Sequence, residues 1–471
     1  MGLDQAGDSA RSVTEERPAV VVAWPGLTFA SGLRKMSSTI RAYPPQDQDD
    51  NVAVTLTEPQ TRIGTCSALH VKGEGELILH GYFFTEFLPL ITLTWMQDTP
   101  SRSCPEALRK SMLEHEDLKY SILACSAAHL HQSSNTQSLP AALEFYHRAV
   151  KEVQKSVRRV HEKGLQISDG LVMAVMCLIV YGVLSPDQDS TLSHLGAVVH
   201  MLKRRINYNA PNNLDDRPTT LLDLHALDST LFHIFRVAVW HPNANRGFLV
   251  DTEFWSMAER LLKHANDAGT YSSLVLGFPT SFYKMILCMV QYAREPGCQS
   301  EKTLAGLETE LNFYKAACEN EPTNGSPFNT NLDFYSAQPS VAYAYRLCIL
   351  VATLIPINPF LSKQDGTSDI FLGQEAPSII QQAIALLCEA SLEPEWYRCY
   401  LGCWPVFIFG FCVSGTEHVQ VIRHDFETRL AVSSLQEYRR MLNALENFWA
   451  HPYVPESERL LSNNAGKMIH V

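Results

Sequence analysis

From Glu76 onward, apolar residues recur at intervals of three and four, the period of a helix that buries one face. Leu77, Gly81, Phe84, Leu88 and Ile91 share a face by this spacing. Pro89 is expected to bend or end that helix, because it lacks an N–H and its ring clashes one turn back. A second helix is expected from Pro105 to about His131. It contains the small-residue run Ala124-Cys125-Ser126-Ala127-Ala128, which would let a neighbouring helix approach closely. Pro140 suits the first turn of a third helix and Gly164 its end. Between them Phe145 or Tyr146, Ala149, Val153, Val157 and Val160 make an apolar stripe, opposite Lys151, Lys155, Arg158 and Arg159. Ser168-Asp169 supplies cap chemistry for an apolar helix at 171–184, which Ser185-Pro186-Asp187 ends. Ser190 then precedes Leu192, Leu195, Val199 and Leu202, again on one face.

The second half repeats the pattern. Helices are expected near 219–240, 253–267, 280–294, 300–319, 336–355, 376–390, 395–413 and 434–449, separated by segments rich in Asn, Pro, Gly and Asp at 210–218, 321–331 and 358–367. The strand candidates are Val20-Val21-Val22, 52–56 and 419–422, and no alternation sustains a sheet. Helix pairs recur at about 35–45 residues without the fixed signature of a repeat array. The expected fold is all-α, an irregular multi-helix bundle of antiparallel helix pairs.

Residues 1–75 have another texture. Ser, Thr, Gly and Pro are scattered among few periodic apolar positions, and Pro44-Pro45 leads into Gln46-Asp47-Gln48-Asp49-Asp50. Such a composition does not bury enough apolar surface to offset chain entropy, so a mostly disordered N-terminal arm is expected at 1–75. The stretch 19–29, with Trp24 and Phe29, is a hydrophobic island in that arm or else a short docking motif. The helical domain is expected at 76–455 and a C-terminal tail at 456–471.

Composition narrows the function. Of 471 residues, 46% are hydrophobic and 19% charged, against about 25% charged in an average soluble chain. Much surface is therefore buried in the fold or against a partner. The net charge of −12 argues against a phosphate-binding sleeve, which needs clustered Lys and Arg. The basic runs Lys203-Arg204-Arg205, Arg158-Arg159 and Arg439-Arg440 are read as solvated helix faces. The most apolar stretches, 171–184 and 401–413, fall short of the about 20 residues that span a bilayer, so no membrane association is expected. The acidic start, with Asp4, Asp8, Glu15 and Glu16, does not fit a secretory or transit signal.

Twelve cysteines with no C-x-x-C spacing suit a reducing compartment, and Cys125, Cys177, Cys288, Cys348 and Cys388 are read as small core hydrophobes. Cys399, Cys403 and Cys412 lack the fourth ligand of a zinc site and are read the same way. There is no G-x-x-x-x-G-K-[ST], no G-x-G-x-x-G, no H-E-x-x-H and no G-x-S-x-G. His129 and His131 diverge on a helix, as do His194 and His200. His194 and His225, beside leucines, are read as core or rim groups, and Glu114, Glu116 and Asp117 as a solvated helix start. No catalytic, metal, cofactor-binding or DNA-contacting residue is assigned and no cofactor is expected.

Several segments taken together resemble the regulatory, non-DNA-binding half of fungal zinc binuclear-cluster transcription factors, in the shorter class of the fungal-specific transcription factor domain. The first is Leu123-Ala124-Cys125-Ser126-Ala127-Ala128-His129-Leu130, followed by a helix holding Tyr146-His147-Arg148-Ala149-Val150. Next come 173–184 with its late tyrosine, then His194-Leu195-Gly196-Ala197 with Met201-Leu202. Far downstream lies Cys403-Trp404-Pro405-Val406-Phe407-Ile408-Phe409-Gly410, whose Trp404-Pro405 is the most distinctive dipeptide. The resemblance spans roughly 76–455. Family members usually have a glutamate after the tyrosine where Gly182 stands, so fold and no specific contact is carried over.

That family's DNA-reading module holds two zinc ions in a compact six-cysteine run, and before residue 100 this sequence has only Cys66. The resemblance therefore implies a nuclear, or otherwise cytoplasmic, regulator-like protein with no direct DNA contact. It would act through a DNA-bound homologue or coregulator, or as a homodimer, on a metabolic or secondary-metabolite gene cluster. The other explanation of the missing module is a truncated gene model. The alternative reading is an enzyme or small-ligand-binding protein on the same scaffold, which is rich in aromatics such as Phe83, Phe84, Tyr283, Tyr345 and Trp404, most of them read as core. A pocket with converging polar groups, His194 and His233 included, would favour that alternative.

Overall fold

The computed structural model describes residues 74–93, 103–134, 138–185, 188–208, 219–240, 251–294, 301–319, 338–358, 361 and 376–450, together with the backbone of 22–24 and 27–29. The chain divides into two units, Met1–Pro59 and Gln60–Val471. In the first, Val22–Trp24 and Leu27–Phe29 form a two-stranded antiparallel pair with Val22 opposite Phe29. Of the strand candidates, only Val22 belongs to this pair. The candidate at 52–56, the rest of the N-terminal arm up to residue 73 and the tail at 456–471 lie outside the described residues, while Glu74 and Gly75, expected in the arm, already belong to the first helix.

The regular elements described in the second unit are all helices or helical turns. The first helices are α1 (Glu74–Tyr82), a π-helical turn (Phe83–Phe87), α2 (Leu88–Ile91), α3 (Cys104–Glu114), α4 (Glu116–Ser134), α5 (Leu139–Lys163), α6 (Asp169–Leu184) and α7 (Gln188–Tyr208). There follow α8 (Leu221–Trp240), α9 (Thr252–Asp267), α10 (Thr280–Arg294), α11 (Glu301–Glu319), α12 (Pro339–Leu354) and α13 (Ala376–Ala390). Two 3₁₀ turns, Trp396–Arg398 and Tyr400–Gly402, then lead into α14 (Cys403–Gly410), α15 (Thr416–Ser433) and α16 (Gln436–Ala450).

At the centre lies α6, which is apolar on nearly every side and accordingly buried on nearly every side. Its start is fixed by Ser168, whose Oγ accepts the Leu171 N–H at 3.1 Å. It packs on α4, α5, α7 and α8. The small run 124–128 of α4 is fully enclosed, so α5 and α6 approach α4 without long side chains between them. Helix α5 is amphipathic as expected, burying Ala149, Val153, Val157 and Val160, and it ends at Gly164 in the left-handed region at φ 60°.

Four local expectations are corrected. The π turn at Phe83–Phe87 rotates the first helix, so Leu79, Phe83 and Phe87 face inward while Leu77 is 70% exposed. The helix expected over Pro105–His131 breaks at His115, which is extended, and Asp117 beyond it is buried. Cys288 and Cys388 lie on the outer faces of amphipathic α10 and α13 and are exposed. The strand candidate at 419–422 belongs to α15, a helix no hydrophobic period announced. Its buried face carries Asp425, Arg429 and Ser433 beside Val419, Ile422 and Phe426, so polar residues interrupt the apolar signal.

Ion pairs and hydrogen bonds replace apolar contacts at several such places. Arg429 is wholly buried and bonds Asp425 at 2.7 Å and the Cys399 carbonyl at 2.8 Å, while Trp396 Nε1 donates to the same carboxylate at 2.6 Å. Arg205 grips Asp223 at 2.6 and 3.2 Å and also reaches the Ile167 carbonyl, tying α7 to the start of α8. Asp223 and Thr220 cap each other's N–H groups at 3.1 Å.

Candidate functional site

Two helical faces build the site. On α8, His225, Ser229, Phe232 or His233, Arg236 and Trp240 succeed one another at threes and fours, so all lie on one face. On α6, Met173, Met176 or Cys177, Val180, and Val183 or Leu184 do the same. These faces enclose a cavity of about 120 Å³, closed further by Phe83 and Phe87, by Tyr400 and Trp404, and by Glu437 and Tyr438 at the start of α16. Its wall is mostly hydrocarbon, aromatic ring and sulfur. Leu90, Ile91, Val180, Val183 and Phe232 are half-buried and form its outer side.

The polar groups in that wall are few and their charges cancel. Arg236 pairs with Glu437 across α8 and α16, and its guanidinium lies 4.5 Å from the Trp240 ring centroid. Burial holds His225 at about 4. Burial, helped by Arg236, holds His233 at about 3. Both rings are therefore neutral at pH 7. Four buried atoms of wall residues make no hydrogen bond among the described residues: His225 Nδ1, Trp240 Nε1, Trp404 Nε1 and Glu437 Oε1, the last held instead in its ion pair with Arg236. An unmet donor or acceptor of this kind costs about 1–3 kcal/mol. The arrangement suits enclosure of an uncharged, largely apolar molecule.

It is poorly arranged for acid–base or nucleophilic work. Glu437 is committed to Arg236. Burial pushes the Cys403 thiol upward, away from the thiolate, and its Sγ lies 3.3 Å from Met441 Sδ. Cys125, also in the wall, points its thiol at the Cys177 carbonyl at 3.1 Å and is raised by burial as well. Among the described residues, no group of three or more His, Cys, Asp or Glu could hold a metal ion. Nor is any helix among them long and apolar enough to cross a membrane.

Of the histidines considered together for a pocket, only His233 lines the cavity. His194 sits between α7 and α5, with Nε2 3.5 Å from the Tyr146 hydroxyl, whose ring stacks on Tyr181 at 4.5 Å. His225, read from sequence as a core or rim group, is buried and in the wall. The pairing of Arg236 with Glu437 was not legible, because the partners are two hundred positions apart. The polar stripe on α8 within an otherwise apolar helix was a signal that could have been read.

His129 binds three elements together. Because the Ser433 carbonyl can only accept, Nε2 carries the proton at 2.8 Å, and Nδ1 then accepts from the Tyr82 hydroxyl at 2.9 Å. Trp404 lies edge-on to Phe235 at 5.1 Å. Pro405 falls in the first turn of α14, where its missing N–H costs no helical bond.

These features define a helical domain with a small interior cavity, in which His129 and the Trp404-Pro405 pair have structural roles. The model of the fungal specific transcription factor domain matches residues 78–453, and the chain belongs to that family. Comparison with curated proteins and with solved structures gave no match.

Proposed function

We propose that the helical body is the effector half of a transcription regulator, working in the nucleus through protein partners or a second copy of itself and not by catalysis. Membership of the transcription factor domain family, over residues 78–453, carries this reading. The net charge of −12 and the shortness of every basic run support recruitment by a DNA-bound protein over direct phosphate contact. On this reading the targets form a metabolic or secondary-metabolite gene cluster, 76–455 is the working domain, and the segments flanking it serve as arm and tail.

The test is to fuse the full chain to an unrelated DNA-binding module upstream of a reporter in a fungal host. Reporter output changed at least about fivefold, with no shift of promoter DNA by the purified unfused chain at physiological salt, is the expected result. An unchanged reporter would remove the effector role. A DNA shift with a steep salt slope would remove the partner-dependent one.

The alternative, a ligand-binding role for the same scaffold, is favoured by one observation: the cavity between α6, α8 and α16.

A further inference from the structure

The cavity has three properties that together select a ligand. First is size. A dry engineered cavity of about 150 Å³ accepts benzene, so about 120 Å³ accommodates roughly one aromatic ring. Second is charge. Arg236 and Glu437 neutralise each other, and His225 and His233 are neutral at pH 7, so an ion entering would lose its water with no opposite charge to replace it. Third is polarity. The wall is mostly hydrocarbon, aromatic ring and sulfur, and Trp240 Nε1, Trp404 Nε1 and His225 Nδ1, which have no hydrogen-bond partner among the described residues, are closed off from the lumen. The thioethers of Met173 and Met176 adapt to a ring's shape.

We propose that this cavity is a binding site for a small uncharged, largely apolar molecule of about one aromatic ring. Its walls come from both halves of the domain, α6 and α8 from the first and α14 and α16 from the second. Occupancy therefore stabilises the contact between them, since a ligand that binds only the folded state adds to its stability. The proposal is independent of the partner reading. A folded chain that binds no probe can still drive the reporter, and a chain silent in the reporter can still bind.

The experiment is ¹⁹F NMR titration of the full chain with 4-fluorophenol, fluorobenzene, 4-fluorobenzoate and 4-fluorobenzylamine at pH 7. Saturable binding of the two neutral probes is expected, with both ions at least about tenfold weaker. Val180→Trp, which fills the outer side of the cavity, should abolish binding while the chain stays folded by near-UV circular dichroism. If Val180→Trp does not fold, Ser229→Leu on the opposite wall decides by the same readout. No saturation by either neutral probe, equal binding of benzoate, or unchanged binding to a folded, cavity-filled variant would each overturn the proposal.

Discussion

Asp425 and Arg429 lie one turn apart on α15 and form an ion pair at 2.7 Å in which the arginine has no exposure to solvent. Burial opposes the charge on Arg429, but the Asp425 carboxylate outweighs it and holds the guanidinium above its usual range. The pair organises its surroundings, because Trp396 donates to the carboxylate, its ring lies 4.7 Å from the guanidinium carbon, and the Cys399 carbonyl accepts from Arg429.

Removing one member should therefore cost more than the pair contributes. Arg429→Met leaves a buried carboxylate with a single indole donor and is expected to lower unfolding stability by about 3–5 kcal/mol. The double variant Asp425→Leu/Arg429→Met should recover part of that loss. Urea unfolding followed by circular dichroism measures both, and a double variant no more stable than Arg429→Met alone would contradict the argument.

Asp228 holds the loop between α9 and α10. Its carboxylate accepts from Tyr271 at 3.0 Å, Ser273 at 2.7 Å and the N–H groups of Leu274, Val275 and Leu276 at 2.8–3.3 Å. Asp228→Asn turns an NH₂ toward this ring of donors and is expected to destabilise by about 2–4 kcal/mol. Hydrogen exchange should show protection lost first at 274–276, with α4 and α6 little affected.

Gly277 has φ +66°, and a Cβ there would sit 2.5 Å from Leu401 Cδ1. Gly277→Ala is expected to cost about 1–3 kcal/mol. Gly306, in α11 with open space around it, supplies the contrast: Gly306→Ala should stabilise by up to about 1 kcal/mol. Thermal unfolding of the two variants should move in opposite directions.

Acid should unfold the protein well before its surface carboxylates explain it. His194, His225 and His233 are held at about 4, 4 and 3 by burial, below the about 6.5 of an unfolded histidine. Between these values the unfolded chain binds more protons, so stability is full above about pH 6.5 and falls as pH drops. The expected slope is about 1.4 kcal/mol per pH unit for each histidine. His225→Gln should flatten it by one such increment, and an unchanged slope would count against a buried neutral ring.

The sequence by itself determined that the described body is helical, where most helices begin and end, and which family the chain joins. Those properties depend on local periodicity, on caps such as Ser168 and Gly164, and on short runs around His129 and Trp404, all readable along the chain. Tertiary structure alone decided that α15 is a helix with a charged interior, that the first helix turns through a π segment, and that Arg236 meets Glu437 over a cavity. Each of these depends on which distant side chain supplies a counter-charge or fills a space, and a linear pattern of apolar and polar residues does not carry that information.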